Sequence, residues 1–329
     1  MRRAPVVVPV LLFAIVTPTA ARAVEPAVVD ARCAGRAAPP AASDDDRAVA
    51  RRARTEAPGR SCTDWLFGLD GRADAKVARA LALAEGGCDA ELAMIHGNGW
   101  GVPRDVDVAT AFACRADGMS YPEIAGLVGQ LASLRADQSA APLDVCAFAE
   151  STFAMSRCAW IEAAQARDGF DAEVATRRAR WDADTRDAFR DVARAAARWA
   201  SADAALRADE FRGGTLQKVS LPGHLADARR RLREQLIALD ERAPATPGPG
   251  ELHLAARRAE RLASSRRRAG DTTWRALFDD EAAAAAALTD AWLEFVAARH
   301  GRAHLTGARL ALTEARQLRL ATLAPTPNL

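Results

Sequence analysis

The residues that decide the fold of this chain are 169–211, GFDAEVATRRARWDADTRDAFRDVARAAARWASADAALRADEF. Large apolar side chains recur there, mostly at steps of three, four or seven residues: Phe170, Val174, Trp181, Phe189, Val192, Trp199 and Leu206. Arg and Asp occupy many of the positions between them. Because an α-helix makes one turn in about 3.6 residues, this spacing forms an apolar stripe opposite a charged face. The stretch therefore predicts a long amphipathic helix that buries its stripe against other helices.

The rest of the C-terminal half has the same helical pattern. Further helices are predicted at about 222–242, 251–268, 271–300 and 305–323, and strand-like alternation is nearly absent. Breaks are predicted at Gly213-Gly214, at Leu221-Pro222-Gly223 and between Pro244 and Gly250, because Pro cannot continue a helix and Gly ends one at little cost. Long helices joined by short breaks predict an antiparallel bundle over residues 166–323.

The N-terminal half predicts shorter helices. They are expected at about 72–85, 89–97, 106–117, 122–135 and 144–165. Residues 24–60 are rich in Pro, Ala, Arg and Asp with little apolar periodicity, and they predict a mostly disordered lead-in. The predicted fold class is all-α, with a short disulfide-stapled helical-repeat segment over 61–165 followed by the bundle of long helices.

All six cysteines lie in the N-terminal half of the chain. They are Cys33, Cys62, Cys88, Cys114, Cys146 and Cys158. An even number in an exported chain predicts disulfides between all of them, although the pairing stays open. A zinc site would require close pairs such as C-x-x-C, and the nearest two cysteines here are Cys146 and Cys158. We therefore predict neither a metal site nor a cofactor.

The first 23 residues have the pattern of a secretory signal. Arg2 and Arg3 precede an apolar run from Pro5 to Val16, and Ala21-Arg22-Ala23 forms a small-x-small cleavage site. The residue directly after that site is Val24 and not a Cys, so a lipid acceptor is missing at this position. The pattern predicts a periplasmic or secreted protein with no membrane span in its mature chain.

The charged and polar residues predict no catalytic chemistry. The formal net charge is +2, so a basic field for nucleic acid is absent. Asp182, Asp184 and Asp187 alternate with arginines as solvent-facing ion pairs do. His300 and His304 share a helical face but have no third ligand nearby in sequence, so we interpret them as a helix end. The Arg clusters at 229–233 and 266–268 are interpreted as solvated faces.

A glycine-rich turn between two predicted helices occupies the middle of residues 88–118, where LAMIHGNGWGVPRD (92–105) is followed by Ala109, Phe112 and Ala116. Gly99 and Gly101 allow a tight turn, and Asp105 is placed to cap the following helix. This segment resembles a Sel-like repeat, which is related to the tetratricopeptide repeats. The resemblance implies a helical hairpin used for protein binding. Trp100 lies in the turn and is our candidate protein-binding residue, because aromatic side chains often anchor interfaces.

A second resemblance covers about 140–323. It is carried by Ala291-Trp292-Leu293-Glu294-Phe295, by Leu312-Thr313-Glu314-Ala315-Arg316, and by Gly214-Thr215. These residues are similar to the N-terminal domain of LprI-type lysozyme inhibitors, a helical secreted family. The resemblance implies a protein partner such as lysozyme or another wall hydrolase.

Taken together, the sequence predicts a secreted, non-enzymatic protein-binding protein. Two hypotheses stay open at this point. In the first, the protein is similar in function to a lysozyme inhibitor; in the second, it is a Sel-like scaffold for the assembly of cell-envelope proteins.

Overall fold

The computed structural model describes residues 26–34, 36, 38–69, 73–137, 139–248, 250–266 and 271–323. The predicted signal at 1–23 lies outside the described residues. Within them the protein is all-α, with thirteen α-helices, three short 3-10 turns and no strand, which confirms the predicted fold class. None of the described helices is both long and apolar enough to cross a membrane.

The N-terminal half contains seven short helices. They are α1 (Pro26–Cys33), α2 (Asp44–Glu56), α3 (Cys62–Phe67), α4 (Ala75–Glu85), α5 (Asp89–Asn98), α6 (Val106–Ala113) and α7 (Tyr121–Ala136). They enclose a core that includes Leu81, Leu92, Phe112 and Leu131, each at most 2% exposed. Burial of these side chains supplies the main driving force for folding this half.

Helices α5 and α6 form the predicted hairpin. Gly99 ends α5 with a φ of 72°, and Gly101 has a φ of 69°. Both values lie in the left-handed region, where a residue with a Cβ would be strained. The carboxylate of Asp105 accepts the backbone N–H groups of Asp107 and Val108, so it caps α6 as its position in sequence indicates.

The segment expected to be a disordered lead-in contains two helices, α1 and α2. Ser43 caps α2, and the Asp46 carboxylate accepts the Ser43 backbone N–H at 3.0 Å. The same carboxylate receives a hydrogen bond from Arg79 of α4 at 2.9 Å. Val29 and Ala53 are buried at 2% and 3% exposure. Contacts with distant parts of the chain order these helices, and the composition of a short window does not report such contacts.

Three disulfides join the six cysteines, as predicted. Cys33 of α1 pairs with Cys114 at the end of α6, and Cys62 of α3 pairs with Cys88 before α5. Cys146 pairs with Cys158, which joins the 3-10 turn at 145–148 to the next helix. The third disulfide ties the N-terminal half to the first helix of the bundle.

Six helices form the bundle. They are α8 (Thr152–Arg178), α9 (Ala183–Ala208), α10 (Gln217–Glu241), α11 (Glu251–Arg266), α12 (Thr272–His300) and α13 (Leu305–Ala321). Consecutive helices alternate in direction. α9 packs between α10 and α12, and the rings of Trp181, Phe189, Trp292 and Phe295 meet in the core, with centroids 4.9–6.3 Å apart in contacting pairs. Offset and edge-to-face contacts of this kind add to the stability gained from burial.

The predicted helix over 169–211 is interrupted, and this part of the prediction was wrong. α8 ends at Arg178, and α9 starts after Asp182, whose side chain accepts the backbone N–H of Thr185 at 2.8 Å. Trp181 lies in this turn and is only 4% exposed. The apolar stripe continues across the turn because both helices face the same core, so periodicity does not reveal the reversal. α8 also runs through the predicted boundary at residue 165.

Helix α10 continues through Pro222, where a break was predicted. Proline has no N–H, so the carbonyl of Lys218, four residues earlier, lacks its helical partner. The Ser156 hydroxyl of α8 donates to that carbonyl at 3.0 Å. A hydrogen bond from a neighbouring helix thus replaces the missing one.

Glu123 connects the start of α7 to the start of α8. Its side chain is 0% exposed, and its carboxylate accepts the backbone N–H groups of Ser120, Glu150 and Ser151 at 2.7–2.9 Å. Burial alone would raise the pKa of Glu123, but these hydrogen bonds together lower it below the ordinary value of 4.5.

We expect Glu123→Gln to reduce the free energy of unfolding by about 2–3 kcal/mol at pH 7, because an amide cannot accept all three N–H groups. The folded pKa is depressed, so the stabilisation by the carboxylate is present above pH 4.5 and is lost as the pH falls through the folded value. Urea unfolding at several pH values should show the difference between the two proteins narrowing in acid. A difference that stays constant with pH would contradict this account.

Candidate functional site

Helix α8 carries two large aromatic side chains on the protein surface near its start. Phe153 is 67% exposed and Trp160 is 44% exposed. They are seven residues apart, so they lie on the same side of the helix, separated by about 10 Å along its axis. We call this pair the α8 aromatic strip.

The strip is held between the two halves of the molecule. Ser156 lies on one side of it and bonds to α10 through the Lys218 carbonyl. Arg157 lies on the other side and forms an ion pair with Glu91 of α5. Since both flanking residues are anchored, α8 cannot rotate about its axis without breaking these contacts, and the two aromatic rings stay directed outward.

The ion pair beside the strip is largely shielded from water. Glu91 is 1% exposed and also accepts a hydrogen bond from the hydroxyl of Thr63. Burial lowers the pKa of Arg157 to about 10, so the guanidinium remains charged at neutral pH. The pair therefore fixes α8 against α5 as a charged contact.

A group with metal-ligand atoms lies next to this ion pair. The Cys62 and Cys88 sulfurs and a Glu91 oxygen are all within 4.8 Å of one another. The two sulfurs are bonded to each other, and the carboxylate is occupied by Arg157 and Thr63. Cysteine binds a metal as a thiolate, and both sulfurs here are in a disulfide. In its oxidised form this group therefore serves to connect α3, α5 and α8.

Trp100 lies in the turn between α5 and α6, as predicted, and is partly buried. It packs against a small apolar cluster that contains Leu66, Ala78 and Ile95. The residue as a whole keeps partial exposure to solvent. Its role in binding stays a prediction.

Three of the five histidines, His96, His300 and His304, take structural positions. His96 is 8% exposed and stacks on Phe112, with ring centroids 5.7 Å apart, and burial lowers its pKa so that it is neutral at pH 7. His300 and His304 bond to the carbonyl oxygens of Leu239 and Pro244 at 2.7 and 3.0 Å. These two imidazoles fasten the connection between α10 and α11 to the end of α12.

The charged clusters are largely paired on the surface. Arg190 forms an ion pair with Asp187 at 2.8 Å, one turn away on α9. Within the 229–233 cluster, Arg230 pairs with Glu162, and Arg233 pairs with Glu173 of α8. These ion pairs join α10 to α8, as expected for solvated faces. Arg267 and Arg268 lie outside the described residues.

The fold and this surface define a disulfide-linked, all-α protein with a fixed aromatic strip on α8. No protein-family model, no curated protein and no solved structure matches the chain. Sequence reasoning did not single out the strip. Its signal was present, because two aromatic residues seven positions apart must share one face of any helix that contains them.

Proposed function

We propose that this chain is a non-enzymatic protein-binding protein of the periplasm or extracellular space, and that it docks its partner through the α8 aromatic strip. The observation that carries the proposal is the exposure of Phe153 and Trp160 on a helix held from both sides. Rigid aromatic side chains lose little conformational entropy on binding and are frequent hot spots of protein interfaces.

Three disulfides support the proposed compartment. Structural disulfides persist in the periplasm and outside the cell, whereas cytosolic thiols are kept reduced. The signal-like pattern at residues 1–23 points to the same compartment.

The partner that we propose is lysozyme or a related wall hydrolase. The similarity of residues 140–323 to LprI-type inhibitors supports this choice. A glycoside hydrolase cleaves its substrate between two carboxylates in an open cleft. A protein that covers this cleft with a rigid aromatic ridge would exclude the substrate without any chemistry of its own.

The oxidised protein is expected to lower lysozyme turnover at near-stoichiometric amounts. Replacing Phe153 and Trp160 together by Ala should raise the inhibition constant at least about 100-fold, because two aromatic anchors of about 2 kcal/mol each are removed. Leu254→Ala is the matched control, since Leu254 is 48% exposed but lies on α11. The assay measures the rate at which lysozyme degrades cell wall in the presence of the wild-type protein, the double variant or the Leu254 variant. Unchanged turnover with the wild-type protein rules out the inhibitor proposal.

The scaffold function remains the second candidate because part of Trp100 is at the surface of the α5–α6 hairpin. In that case Trp100→Ala, and not the α8 double variant, should weaken the capture of a defined envelope protein. Capture that depends on neither surface would contradict both proposals.

A further inference from the structure

The turn between α5 and α6 contains the dipeptide Asn98-Gly99. This dipeptide is chemically prone to deamidation, because glycine has no side chain to block the approach of its backbone nitrogen to the preceding amide. The end of α5 requires a left-handed residue, and Gly99 has a φ of 72° there. The conformation of the turn thus requires the same residue that makes the Asn98 amide reactive.

Deamidation at this dipeptide proceeds through a cyclic imide. The backbone nitrogen of Gly99 loses its proton and bonds to Cγ of Asn98, and the side-chain nitrogen leaves as ammonia. Water then opens the imide. The product is an aspartate when water breaks the new bond to Cγ, and an isoaspartate when it breaks the original peptide bond. Water is the only other reactant, and nothing is oxidised or reduced.

Three hydrogen bonds oppose this reaction in the folded chain. Nδ2 of Asn98 donates to the carbonyl of Leu143 at 2.9 Å, and Oδ1 accepts the Leu143 backbone N–H at 2.7 Å. The backbone N–H of Gly99 donates to the carbonyl of Ile95 in the last turn of α5. Until these bonds open, Cγ is held away from the attacking nitrogen and that nitrogen keeps its proton.

The segment 139–148 holds the Asn98 side chain in place, because Leu143 belongs to it. Leu143 is 1% exposed and lies in the N-terminal core. Gln130 of α7 adds a further contact, since its Nε2 donates to the carbonyl of Pro142 at 2.8 Å. Gln130 therefore acts on the amide through the position of the segment.

The disulfide between Cys146 and Cys158 limits how far this segment can move. It closes a loop of 12 positions and ties the segment to α8. A dithiol reductant breaks the bond by forming its own disulfide and leaving two thiols in the protein. Since local opening of a connecting segment costs less free energy than global unfolding, loss of the disulfide would raise the population of the open segment while the core stays folded.

The product of deamidation does not fit the closed site. A carboxylate at position 98 has no hydrogen to donate to the Leu143 carbonyl, so two acceptor oxygens would face each other. Position 98 is also the last residue of α5, where the helix dipole disfavours an anion. The segment would therefore close poorly over the product.

We propose that Asn98 is a modification site controlled by the 139–148 segment. The closed, oxidised protein keeps the amide, and opening of the segment allows Asn98 to deamidate. Because the product disfavours closure, the reaction converts a reversible opening into a permanent change in the α5–α6 hairpin, which also carries Trp100. This inference does not depend on the proposed protein partner.

Peptide mapping by mass spectrometry measures the reaction, because conversion of an amide to an acid changes the mass of the peptide that contains Asn98. The folded, oxidised wild-type protein should deamidate at least about tenfold more slowly than the same protein in urea. In the folded state, Gln130→Ala should raise the rate about three- to tenfold, because one hydrogen bond to the segment is lost. Joint replacement of Cys146 and Cys158 by Ser should raise it at least about tenfold.

Ser133→Ala is the matched control for the Gln130 variant. Ser133 is exposed on α7, and its hydroxyl donates within that helix, to the Gly129 carbonyl at 3.3 Å. This substitution should leave the rate of deamidation unchanged. Asn98→Asp supplies the product directly, and hydrogen exchange over residues 139–148 should be faster in this variant than in the wild-type protein.

A wild-type protein that deamidates as fast when folded as in urea would overturn the proposal. Equal rates in the folded wild type, the Gln130 variant and the double Ser variant would do so as well. Unchanged hydrogen exchange in the Asn98→Asp variant would contradict the permanence of the change. The comparison of folded and urea-treated wild type remains decisive if a variant does not fold.

Discussion

Replacing Asp240 by Ala is expected to lower the free energy of unfolding by about 3–5 kcal/mol, because it leaves buried cationic and polar groups without their partner. Asp240 is 4% exposed. Its Oδ2 accepts from Arg177 of α8 at 2.8 Å, and its Oδ1 accepts from the Trp181 indole at 2.7 Å and from Arg299 of α12 at 2.8 Å. One carboxylate on α10 thus contacts α8, the turn between α8 and α9, and α12 at the same end of the bundle.

The largest loss of stability in this substitution comes from Arg177, because that residue is only 3% exposed and loses a charged partner. Two glutamates also contact its guanidinium, Glu173 at 2.7 Å and Glu241 at 2.9 Å. They keep the charge of Arg177 partly compensated in the variant, so we expect a folded but weakened bundle. Circular dichroism during urea unfolding measures the effect.

Asp280→Ala is the control for the loss of an ion pair in general. Asp280 pairs with Arg198 at 3.4 Å, and its side chain is 56% exposed. Because water competes for both charges there, the loss should be at most about 1 kcal/mol. Equal losses in the Asp240 and Asp280 variants would contradict the importance that we assign to the buried network.

The network also has a pH signature. Burial alone would raise the pKa of Asp240, but the hydrogen bonds from Arg177 and Trp181 and the charge of Arg299 lower it below its ordinary value of 3.8. The stabilisation is therefore present above pH 3.8 and is lost as the pH falls through the depressed folded value. The difference between wild type and the Asp240 variant should shrink in the same range.

Removal of the Cys33–Cys114 disulfide is the second large expected effect. The two cysteines are 81 positions apart, so the bond restricts a long loop of the unfolded chain. The chain-entropy relation gives a loss of about 4.5 kcal/mol for the double Ser variant. α1 should also detach, because eight residues do not form a stable helix alone in water.

Denaturant unfolding and limited proteolysis measure these two consequences. The matched control is the double Ser variant of Cys146 and Cys158, which close a loop of only 12 positions and should cost about 3 kcal/mol. A smaller loss for the long loop than for the short one would contradict the entropic account. Resistance of residues 34–43 to protease in the first variant would show that α1 is held by packing alone.

Local patterns in the sequence were sufficient for much of the fold. The three- and seven-residue spacing of Phe189, Val192 and Trp199 identified the helical bundle, and Asp105 marked the start of α6. The even number of cysteines predicted complete disulfide pairing. Each of these signals depends on residues within a few turns of one another, where side-chain spacing and capping act directly.

Other features depend on residues that are distant in the chain, and only the tertiary structure decided them. α1 and α2 are ordered by a disulfide and by Arg79, and α10 passes Pro222 because Ser156 supplies a hydrogen bond from another helix. The cysteine partners and the turn at 179–182 have the same origin. Burial and hydrogen bonding across the core set the energies of these features. A short window of sequence does not show which distant residues will contact one another in that core.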